Sequence, residues 1–418
     1  MQLKTLKDIK DLAGKRVLLR VDFNVPIKKD KKGKIIIIDM TKIREALGTV
    51  KILVENKAKV IIMSHFCRPD GKVVEDERLL PIAEKIVELL GGKKISLKPY
   101  KALKINTHTK FTYATDLIGK KVETAIGKMV DGDIILLENT RFYPEELASD
   151  PAFVKKIAAL GDIYVNDAFA VSHRAEGTIV EITKYLPSYA GILLEKEMSA
   201  LSRLLESPEK PYVAMIGGIK IKTKIAVIEN LLPKIDSLCL GGGIANTFFR
   251  AMGYGVGDSI IDDNEIELAK KIIQLGKNKL ILPIDVVVGD KEGKEVRVID
   301  IEKEPIEICG KNEGIYDIGP QTIGEYALLI KKSKTVVWNG PFGLFEVEQY
   351  RHGSISLGRV IAAHSRGPAF GVVGGGETIA CLAATGMSEY VDHVSTGGGA
   401  MLTFLEGKGL PGIKPLLK

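Results

Sequence analysis

The sequence predicts an α/β protein whose parallel sheets are covered by helices on both faces. Three observations lead to this prediction. Short apolar, β-branched runs alternate with amphipathic segments along nearly all of the 418 residues. The runs are continuously apolar rather than alternating, which is typical of strands buried on both sides. Charged side chains follow the runs of the first half and glycine clusters those of the second, so ligands are expected at the carboxyl ends of the strands.

The predicted elements follow in chain order. Strand candidates in the first half are "RVLLRVDF", "AKVIIMS", "DIILLE" and "GDIYVNDAF". Those in the second half are "PYVAMIGG", "SLCLGGG", "KLILPIDVVV", "TVVWNGP", "AFGVVGGG" and "VDHVSTGGG". Helical patterns such as "LLPIAEKIVELL", "KIAVIENLLPKI" and "RVIAAHS" lie between them. A long helix candidate from about 192 to 205, flanked by Pro187 and Pro208, indicates a boundary between two domains.

Composition and charge restrict the class of protein. The formal charge of +7 is modest and the basic residues are spread along the chain, which suits acidic small molecules better than nucleic acid. The four cysteines are far apart and lack metal-ligand spacing, so we expect no disulfide framework or zinc site and a reducing cytoplasm. No apolar run approaches the length of a membrane span, and no membrane partner is expected.

Polar side chains stand at the ends of four strand candidates in the first half. They are Asp22, Asn24, His65, Arg68, Arg141, His173 and Arg174. Arginines and histidines that converge at one sheet edge would bind an acidic, phosphorylated small molecule. Each residue taken alone has a simpler explanation as a surface ion pair, a turn former or a packed histidine. The repetition at four strand ends favours a binding site.

Glycines follow the strand candidates of the second half at 217–218, 241–243, 374–376 and 397–399. Glycine lets the backbone approach a ligand closely or turn tightly from strand to helix, and a single cluster does not separate these alternatives. Neither a P-loop nor a G-x-G-x-x-G motif occurs. Four clusters in one half favour a nucleotide cleft of another kind.

Two further features of the second half concern charge. Lys220 and Lys224 are four residues apart and would share one face of a helix, where a bound anion would relieve their repulsion; a solvated lysine face is the alternative. In "GGGET", Glu377 follows glycines that could hold a phosphate at a helix N-terminus. A carboxylate and a phosphate share such a site if Mg²⁺ lies between them. Otherwise Glu377 is an ordinary acid of a first helical turn.

Nine segments taken together resemble the phosphoglycerate kinase family. In chain order they are "RVDFNVP", "SHFCRPDG", "LLENTRF", "YVNDAF…HRA", "GGIKIKTKI", "LGGGIANTF", "VVWNGPFGLFE", "GGGET" and "HVSTGGGA". The resemblance implies two Rossmann-like lobes that bend about a hinge and are joined by the helix at 192–205. It implies a triose-binding lobe at 1–190, a nucleotide-binding lobe at 191–403 and a tail at 404–418 that returns to the first lobe.

The resemblance also implies the site residues. Those that match the family's triose-binding positions are Asp22, Phe23, Asn24, Lys42, Arg44, His65, Arg68, Arg141 and Arg174. Those that match its nucleotide-binding positions are Gly217, Gly218, Lys220, Lys224, Gly241, Gly242, Asn339, Pro341, Glu346, Gly375, Gly376, Glu377 and Thr378. Lys42, Lys220 and Lys224 are the implied catalytic residues, and Glu377 is the implied ligand of Mg²⁺.

Four positions depart from the family's pattern. Lys42 stands where the family has an arginine regarded as catalytic, with Arg44 two residues on, and position favours Lys42. Glu377 replaces the usual aspartate. Cys67 replaces a glycine and Ile219 an alanine, and both are interpreted as packing changes.

The implied reaction is reversible phosphoryl transfer between 1,3-bisphosphoglycerate and MgADP, giving 3-phosphoglycerate and MgATP. It needs positioning and positive charge rather than a general base. The alternatives are a basic nucleic-acid-binding protein, which the scattered charge and single tryptophan disfavour, and a phosphatase or ATPase, for which no water-activating base stands out. We expect a cytoplasmic monomer, with a homodimer as the alternative. Lysine- and isoleucine-rich segments suggest a thermophilic source, and the resemblance is to an archaeal member of the family.

Overall fold

The computed structural model describes residues 1–31, 33–91, 96–276, 278–303 and 306–418. The chain divides into two compact units. Unit 1 comprises Met1–Ser199 together with Gly409–Lys418, and unit 2 comprises Ala200–Lys408. Among the described residues, no helix has both the length and the apolar character that crossing a membrane requires.

Unit 1 contains the first nine strands that the described residues form. They are β1 (Arg16–Asp22), β2 (Ile27–Lys29), β3 (Ile35–Ile37), β4 (Lys59–His65), β5 (Leu103–Lys104), β6 (Lys110–Tyr113), β7 (Ile134–Leu136), β8 (Ile163–Asn166) and β9 (Ser188–Ala190). Its helices are α1 (Thr41–Glu55), α2 (Leu80–Leu89), α3 (Lys120–Gly127), α4 (Pro144–Leu147), α5 (Pro151–Ala158) and the beginning of α6 (Ile192–Glu206). The division between the units falls inside α6, the helix for which the sequence predicts about 192 to 205.

Seven strands of unit 1 form one sheet in the order β5-β6-β7-β4-β1-β8-β9. All neighbours pair in parallel except β5 and β6 at one edge. Side chains of β1 enter two separate cores: Val17, Leu19 and Val21 pack on one face and Leu18 on the other. Because both faces are covered, the strands carry continuous apolar runs, as the sequence predicts.

Unit 2 contains the remaining strands and helices. The strands are β10 (Tyr212–Ile216), β11 (Ser237–Leu240), β12 (Leu280–Ile281), β13 (Asp285–Gly289), β14 (Val296–Asp300), β15 (Gly314–Ile318), β16 (Thr335–Asn339), β17 (Phe370–Gly374) and β18 (His393–Ser395). The helices are the end of α6, then α7 (Ile225–Leu231), α8 (Gly242–Ala251), α9 (Ile266–Leu275), α10 (Pro320–Lys332), α11 (His352–Ser365), α12 (Gly376–Ala384) and α13 (Gly398–Leu405).

The main sheet of unit 2 has the order β12-β11-β10-β16-β17-β18 and is parallel throughout. Trp338 on β16 is fully buried in its core with Met215 and Val373. The predicted α/β class with parallel sheets is therefore confirmed in both units, whose parallel strands alternate with covering helices.

One strand prediction in this unit is wrong. "KLILPIDVVV" is not one strand, since β12 and β13 belong to different sheets and Pro283 stands between them. Proline cannot donate a ladder hydrogen bond, so the chain leaves the parallel sheet there. β13 then forms an antiparallel sheet with β14 and β15.

Candidate active site

The carboxyl ends of two central strands bring the polar residues of unit 1 together. Asp22 ends β1, His65 ends β4, and the two residues are partners in the parallel register. Neighbouring parallel strands present their carboxyl ends at one sheet edge, so the side chains that follow them converge. We call the group at this edge the unit 1 polar cluster; it consists of Arg20, Asp22, Asn24, Lys42, His65, Arg141, Arg174 and Glu176.

Asp22 connects three elements. Its Oδ2 accepts a hydrogen bond from Lys42 Nζ on α1 at 2.7 Å, and its Oδ1 accepts one from the backbone N–H of Asn24 at 2.8 Å. His65 Nε2 lies 3.7 Å from Oδ1. Burial on its own would raise the pKa of Asp22, but the charge of Lys42 and the N–H of Asn24 are among the interactions that outweigh it, so the pKa lies below its ordinary value.

His65 is neutral at pH 7 in this surrounding. It is 2% exposed, and burial is the main reason that its pKa lies well below the ordinary value. The positive charges of Arg20, Arg141 and Lys42 lower this pKa further, and only Asp22 opposes them. A neutral imidazole offers one donor and one acceptor, so His65 supplies hydrogen bonds rather than charge.

The arginines of the cluster are held to different degrees. Arg20 is fully buried, and its Nε donates to Thr178 Oγ1 at 2.8 Å. Arg141 is 6% exposed and donates from Nη2 to Glu176 Oε1 at 2.9 Å and from Nη1 to the carbonyl of Cys67 at 3.2 Å. Arg174 has an exposed side chain whose Nη1 lies 3.9 Å from the same Glu176 oxygen. Two arginines are therefore held by hydrogen bonds in the interior, whereas Arg174 is exposed.

Three predicted residues lie apart from these contacts. Phe23 is fully buried in the apolar core, so only its backbone borders the cluster. Arg44 is exposed on α1 two positions after Lys42, which places it on a different side of the helix. Arg68 is exposed and follows Cys67. Asn24, by contrast, is tied into the cluster, since its Oδ1 accepts the N–H of Cys67 at 3.0 Å.

Sequence reasoning missed two members of the cluster, Arg20 and Glu176. Arg20 left a signal, because it is a charged residue inside the apolar run "RVLLRVDF", and a buried arginine requires partners. Glu176 left none, since a glutamate two residues after Arg174 is typical of a surface loop. Only the folded structure shows that it faces the arginines.

Cys67 has a left-handed backbone, with φ of +54°. This conformation favours glycine over residues that carry a Cβ. Cys67, which replaces the family's glycine, is interpreted from the sequence as a packing change. That interpretation is incomplete, because this position also requires a left-handed backbone. The side chain itself is half-buried, and burial raises the pKa of its thiol.

Unit 2 contains a cleft at the carboxyl ends of its parallel strands. We call it the unit 2 cleft; its lining residues are Gly218, Ile219, Gly242, Gly243, Asn246, Ile260, Ile315, Tyr316, Pro341, Gly343, Leu344, Glu346 and Glu377. Ile219 is 46% exposed at its wall. The interpretation of Ile219 as a packing change is wrong, because the residue is exposed at the cleft rather than packed in the core. Sequence reasoning also missed Asn246 and Tyr316, which come from α8 and β15.

Glycine at two strand ends allows the backbones beneath the cleft to touch. A Cβ at Gly217 would lie 2.1 Å from the carbonyl oxygen of Pro341, and a Cβ at Gly340 would lie 2.1 Å from that of Gly217. Gly340 also has a φ of +95°. No side chain fits between these backbones, so these glycines are required by the fold of the site.

We expect Gly217→Ala to destabilise unit 2 by about 2–3 kcal/mol, because the new methyl group forces two backbones apart. The measurement is urea unfolding followed by the fluorescence of Trp338, the single tryptophan, which lies buried in unit 2. Gly376→Ala is the control, since a Cβ there has nothing within 4 Å and the residue begins α12. Equal stability of the two variants would contradict this account of the glycines.

Lys224 is buried below the cleft. It is 8% exposed, and its Nζ donates to the carbonyl of Gly217 and lies 3.4 Å from that of Asn339. Burial lowers the pKa of Lys224 to about 8, and the negative charge of Glu377 partly opposes this. A lysine in this position carries a positive charge at pH 7 that nearby ligand phosphates would stabilise.

The helical spacing predicted for the two lysines is wrong. α7 begins at Ile225, so Lys224 only precedes it and Lys220 lies in the preceding loop. Lys220 is exposed, and the two side chains do not share a helical face. Positive charges in a first turn oppose the helix dipole, and the chain keeps both lysines outside the helix.

The strand-glycine-helix arrangement predicted for "GGGET" is confirmed. β17 ends at Gly374, Gly375 turns with a φ of +100°, and α12 begins at Gly376. Two hydrogen bonds fix this turn against β16: Asn339 Nδ2 donates to the carbonyl of Gly374 at 2.7 Å, and Thr378 Oγ1 accepts the N–H of Gly340 at 2.7 Å. Gly241, which precedes α8, packs against the ring of Phe342.

Glu377 has the donor chemistry that Mg²⁺ requires. It is an exposed carboxylate at the wall of the cleft, in the first turn of α12. Over the described residues, no group of three or more His, Cys, Asp or Glu side chains could hold a metal ion. A site with one carboxylate therefore fits Mg²⁺ that is bound mainly by nucleotide phosphates and water.

Comparison with known proteins identifies the family. A family model described as phosphoglycerate kinase matches residues 6–408. The phosphoglycerate kinases of Pelotomaculum thermopropionicum and Dictyoglomus turgidum are 42% and 43% identical to this chain, over 100% of it and over 100% and 99% of their own lengths. The structure of phosphoglycerate kinase from Coxiella burnetii superposes with a TM-score of 0.83 at 36% identity, covering 99% of both chains. This chain belongs to the phosphoglycerate kinase family.

Proposed function

We propose that the unit 1 polar cluster binds the acidic triose and that the unit 2 cleft binds the adenine nucleotide. The reaction is that of the family: reversible phosphoryl transfer between 1,3-bisphosphoglycerate and ADP, giving 3-phosphoglycerate and ATP, with the nucleotides used as magnesium complexes. The observation that supports this division is the placement of cationic side chains at one strand-end site and of glycine turns at the other.

The proposed triose site combines cationic side chains that are held in position with others that are exposed. Lys42 and Arg141 are positioned by Asp22 and Glu176, whereas Arg68 and Arg174 are exposed and can follow a ligand. A carboxylate or phosphate suits the guanidinium groups, because planar donors bind two oxygens at once. His65 and Asn24 supply neutral hydrogen bonds to the hydroxyl and carboxyl oxygens of the triose.

The proposed nucleotide site combines close backbone approach with one buried cation. Gly217, Gly218, Gly241 and Gly242 permit phosphates to come near the main chain, and the turn at Gly375, Gly376 and Thr378 presents the N-terminus of α12. Pro341 and Glu346 line the same cleft. We assign Glu346 to the ribose, Asn339 to holding the turn and Glu377 to the metal. When bound, Mg²⁺ neutralises charge on the phosphate oxygens.

Lys224, Lys220 and Lys42 are the proposed catalytic residues. The transferred group passes between a carboxyl oxygen and a phosphate oxygen, so the acceptor is already an anion and no base is needed. The protein has to hold the reactants in line and balance the negative charge of the transferring group. Lys224 is held by two carbonyls, whereas the exposed Lys220 can move to the ligand.

A coupled assay of ATP-dependent phosphorylation of 3-phosphoglycerate tests the function. We expect turnover with Mg²⁺, and no net hydrolysis of ATP when the triose is omitted. Absence of triose phosphorylation in the presence of Mg²⁺ would overturn the kinase assignment. Triose-independent hydrolysis would instead support the phosphatase or ATPase alternative.

Lys42 and Arg44 are distinguished by substitution. We expect Lys42→Ala to lower kcat/KM for 3-phosphoglycerate by about 10²-fold, since it removes a cation held 2.7 Å from Asp22 at the site. Arg44→Ala should change it less than about threefold, because the exposed Arg44 points to another side of α1. Steady-state kinetics with varied triose is the measurement. Greater loss in Arg44→Ala would reverse the assignment.

Three broader expectations remain proposals. The four free cysteines, of which Cys239, Cys309 and Cys381 are buried, support a reducing, cytoplasmic location. A monomeric state is proposed from the sequence, and size-exclusion chromatography with light scattering tests it. The archaeal, thermophilic source also stays a prediction; the relatives reported above are bacterial, and a melting temperature above about 80 °C would support thermophily.

A further inference from the structure

One carboxylate faces three arginines in the unit 1 polar cluster. Glu176 is 5% exposed. Its Oε1 accepts a hydrogen bond from Arg141 Nη2 at 2.9 Å and lies 3.9 Å from Arg174 Nη1, and its Oε2 lies 3.9 Å from Arg20 Nη2. A single negative charge is therefore shared by three guanidinium groups, two of which are buried.

The contacts of Glu176 engage donors that would otherwise be available to a ligand. Arg141 gives one Nη to Glu176 and the other to the carbonyl of Cys67, while its buried Nε has no hydrogen-bond partner among the described residues. Glu176 Oε2 is also buried and accepts no hydrogen bond from the part of the chain that the structure describes. The guanidinium edge of Arg141 is the kind of group that a phosphate or carboxylate of a substrate would bind. In this structure the carboxylate of Glu176, which belongs to the protein, occupies that edge.

We propose that Glu176 is an internal competing anion that sets the affinity of the unit 1 polar cluster for acidic ligands. Its charge partly neutralises Arg141 and Arg174 and repels an incoming phosphate or carboxylate. It is thus an affinity-determining residue that weakens the binding of the triose and of small anions alike. The inference rests on the proposed function, because it assumes that the cluster binds the acidic triose.

Glutamine at this position separates charge from geometry. Glu176→Gln keeps the length and the Oε1 acceptor for Arg141 but removes the negative charge. The buried Arg20 retains a second carboxylate nearby: Glu146 is fully buried, its Oε2 accepts the N–H of Thr178 at 2.8 Å, and Thr178 is also bonded to Arg20. Burial raises the pKa of Glu146 to about 7, and the charge of Glu176 contributes. Without that charge Glu146 ionises more completely, so we expect the variant to fold.

The experiment is isothermal titration calorimetry of the full chain with 3-phosphoglycerate and, separately, with inorganic sulfate. We expect Glu176→Gln to bind both anions about five- to tenfold more tightly than the wild type, with unchanged affinity for MgADP. Glu123→Gln is the control for net charge, because Glu123 is exposed on α3. Unchanged or weaker binding of both anions by Glu176→Gln would overturn the proposal.

Two further measurements keep the proposal testable. If Glu176→Gln is unfolded in anion-free buffer, sulfate is added to test whether an external anion restores the fold. Recovery supports the role of Glu176 as an internal anion that a ligand can replace, and failure at every sulfate concentration overturns the proposal. Glu176→Asp keeps the charge, and anion binding as tight as that of the glutamine variant would also overturn the proposal. A wild type that binds sulfate but not 3-phosphoglycerate would refute the proposed triose site, while the sulfate arm still tests Glu176.

Discussion

Lys224→Met is expected to lower turnover by about 10²–10³-fold without lowering the population of folded protein. Lys224 Nζ is buried below the unit 2 cleft, between the carbonyls of Gly217 and Asn339 and within the field of Glu377. Methionine has similar length and no charge, so it removes the cation and retains the apolar stem. Steady-state kinetics with saturating triose and MgATP measures the loss. Lys222→Met is the control, because that side chain is 79% exposed.

The stability of this variant distinguishes a functional cation from a structural one. The pKa of Lys224 lies near 8 in the folded chain, below its ordinary 10.5. Below pH 8 the buried charge therefore lowers the free energy of unfolding, and this loss disappears as the pH rises from 8 to 10.5. The interval corresponds to about 3 kcal/mol. We expect the free energy of unfolding of the wild type to rise relative to that of Lys224→Met over this pH range. Trp338 fluorescence during urea unfolding is the measurement. If the unfolding free energies of the wild type and of Lys224→Met changed with pH in parallel, the assignment of Lys224 as a buried cation would be contradicted.

The second large effect concerns Glu377. We expect Glu377→Gln to weaken Mg-nucleotide binding by about 10- to 100-fold while the affinity for 3-phosphoglycerate stays the same, because the only carboxylate assigned to the metal loses its charge. Titration calorimetry with ADP, in the presence of Mg²⁺ and of a chelator, is the measurement. Without metal, the variant should bind ADP no more weakly than the wild type, since a neutral side chain no longer repels the phosphates.

Two variants serve as controls for Glu377. Glu377→Asp retains the charge and should keep most of the gain in affinity that Mg²⁺ provides. Glu389→Gln removes one exposed negative charge elsewhere in unit 2 and should leave nucleotide binding unchanged. An equal loss of triose and nucleotide binding in Glu377→Gln would show that the substitution disturbs the protein in general, and the metal assignment would then fail.

Much of the architecture could be predicted because it depends on local patterns. The continuously apolar runs around β1, β4, β10 and β16 predict strands buried on both faces, and these strands lie in the main sheets of the two units. The turn before Glu377 was predictable for the same reason, since glycines between an apolar run and a helical pattern imply a strand-to-helix turn. Pro283 shows the limit: the apolar run continues across it, while the sheet does not.

The members of the sites were predictable mainly where the residue type is unusual for its position. Asp22, His65 and Arg141 interrupt or end apolar runs and attract notice in the sequence. Lys220 and Lys224 attract notice as well, but the sequence could not show that one is exposed and the other buried, because the buried Lys224 contacts the carbonyls of Gly217 and of Asn339, which is distant in the chain.

Local patterns in the chain are enough to predict the alternation of strands and helices, the edge of each sheet at which polar residues and glycines collect, and the family. These follow from neighbours along the chain, whose spacing reflects the periods of strand and helix. The folded structure was needed to show that Glu176 faces three arginines, that Ile219 lines a cleft and that Arg44 is exposed while Lys42 contacts Asp22. Those facts depend on contacts between segments distant in sequence, where burial and charge from several elements act on one side chain.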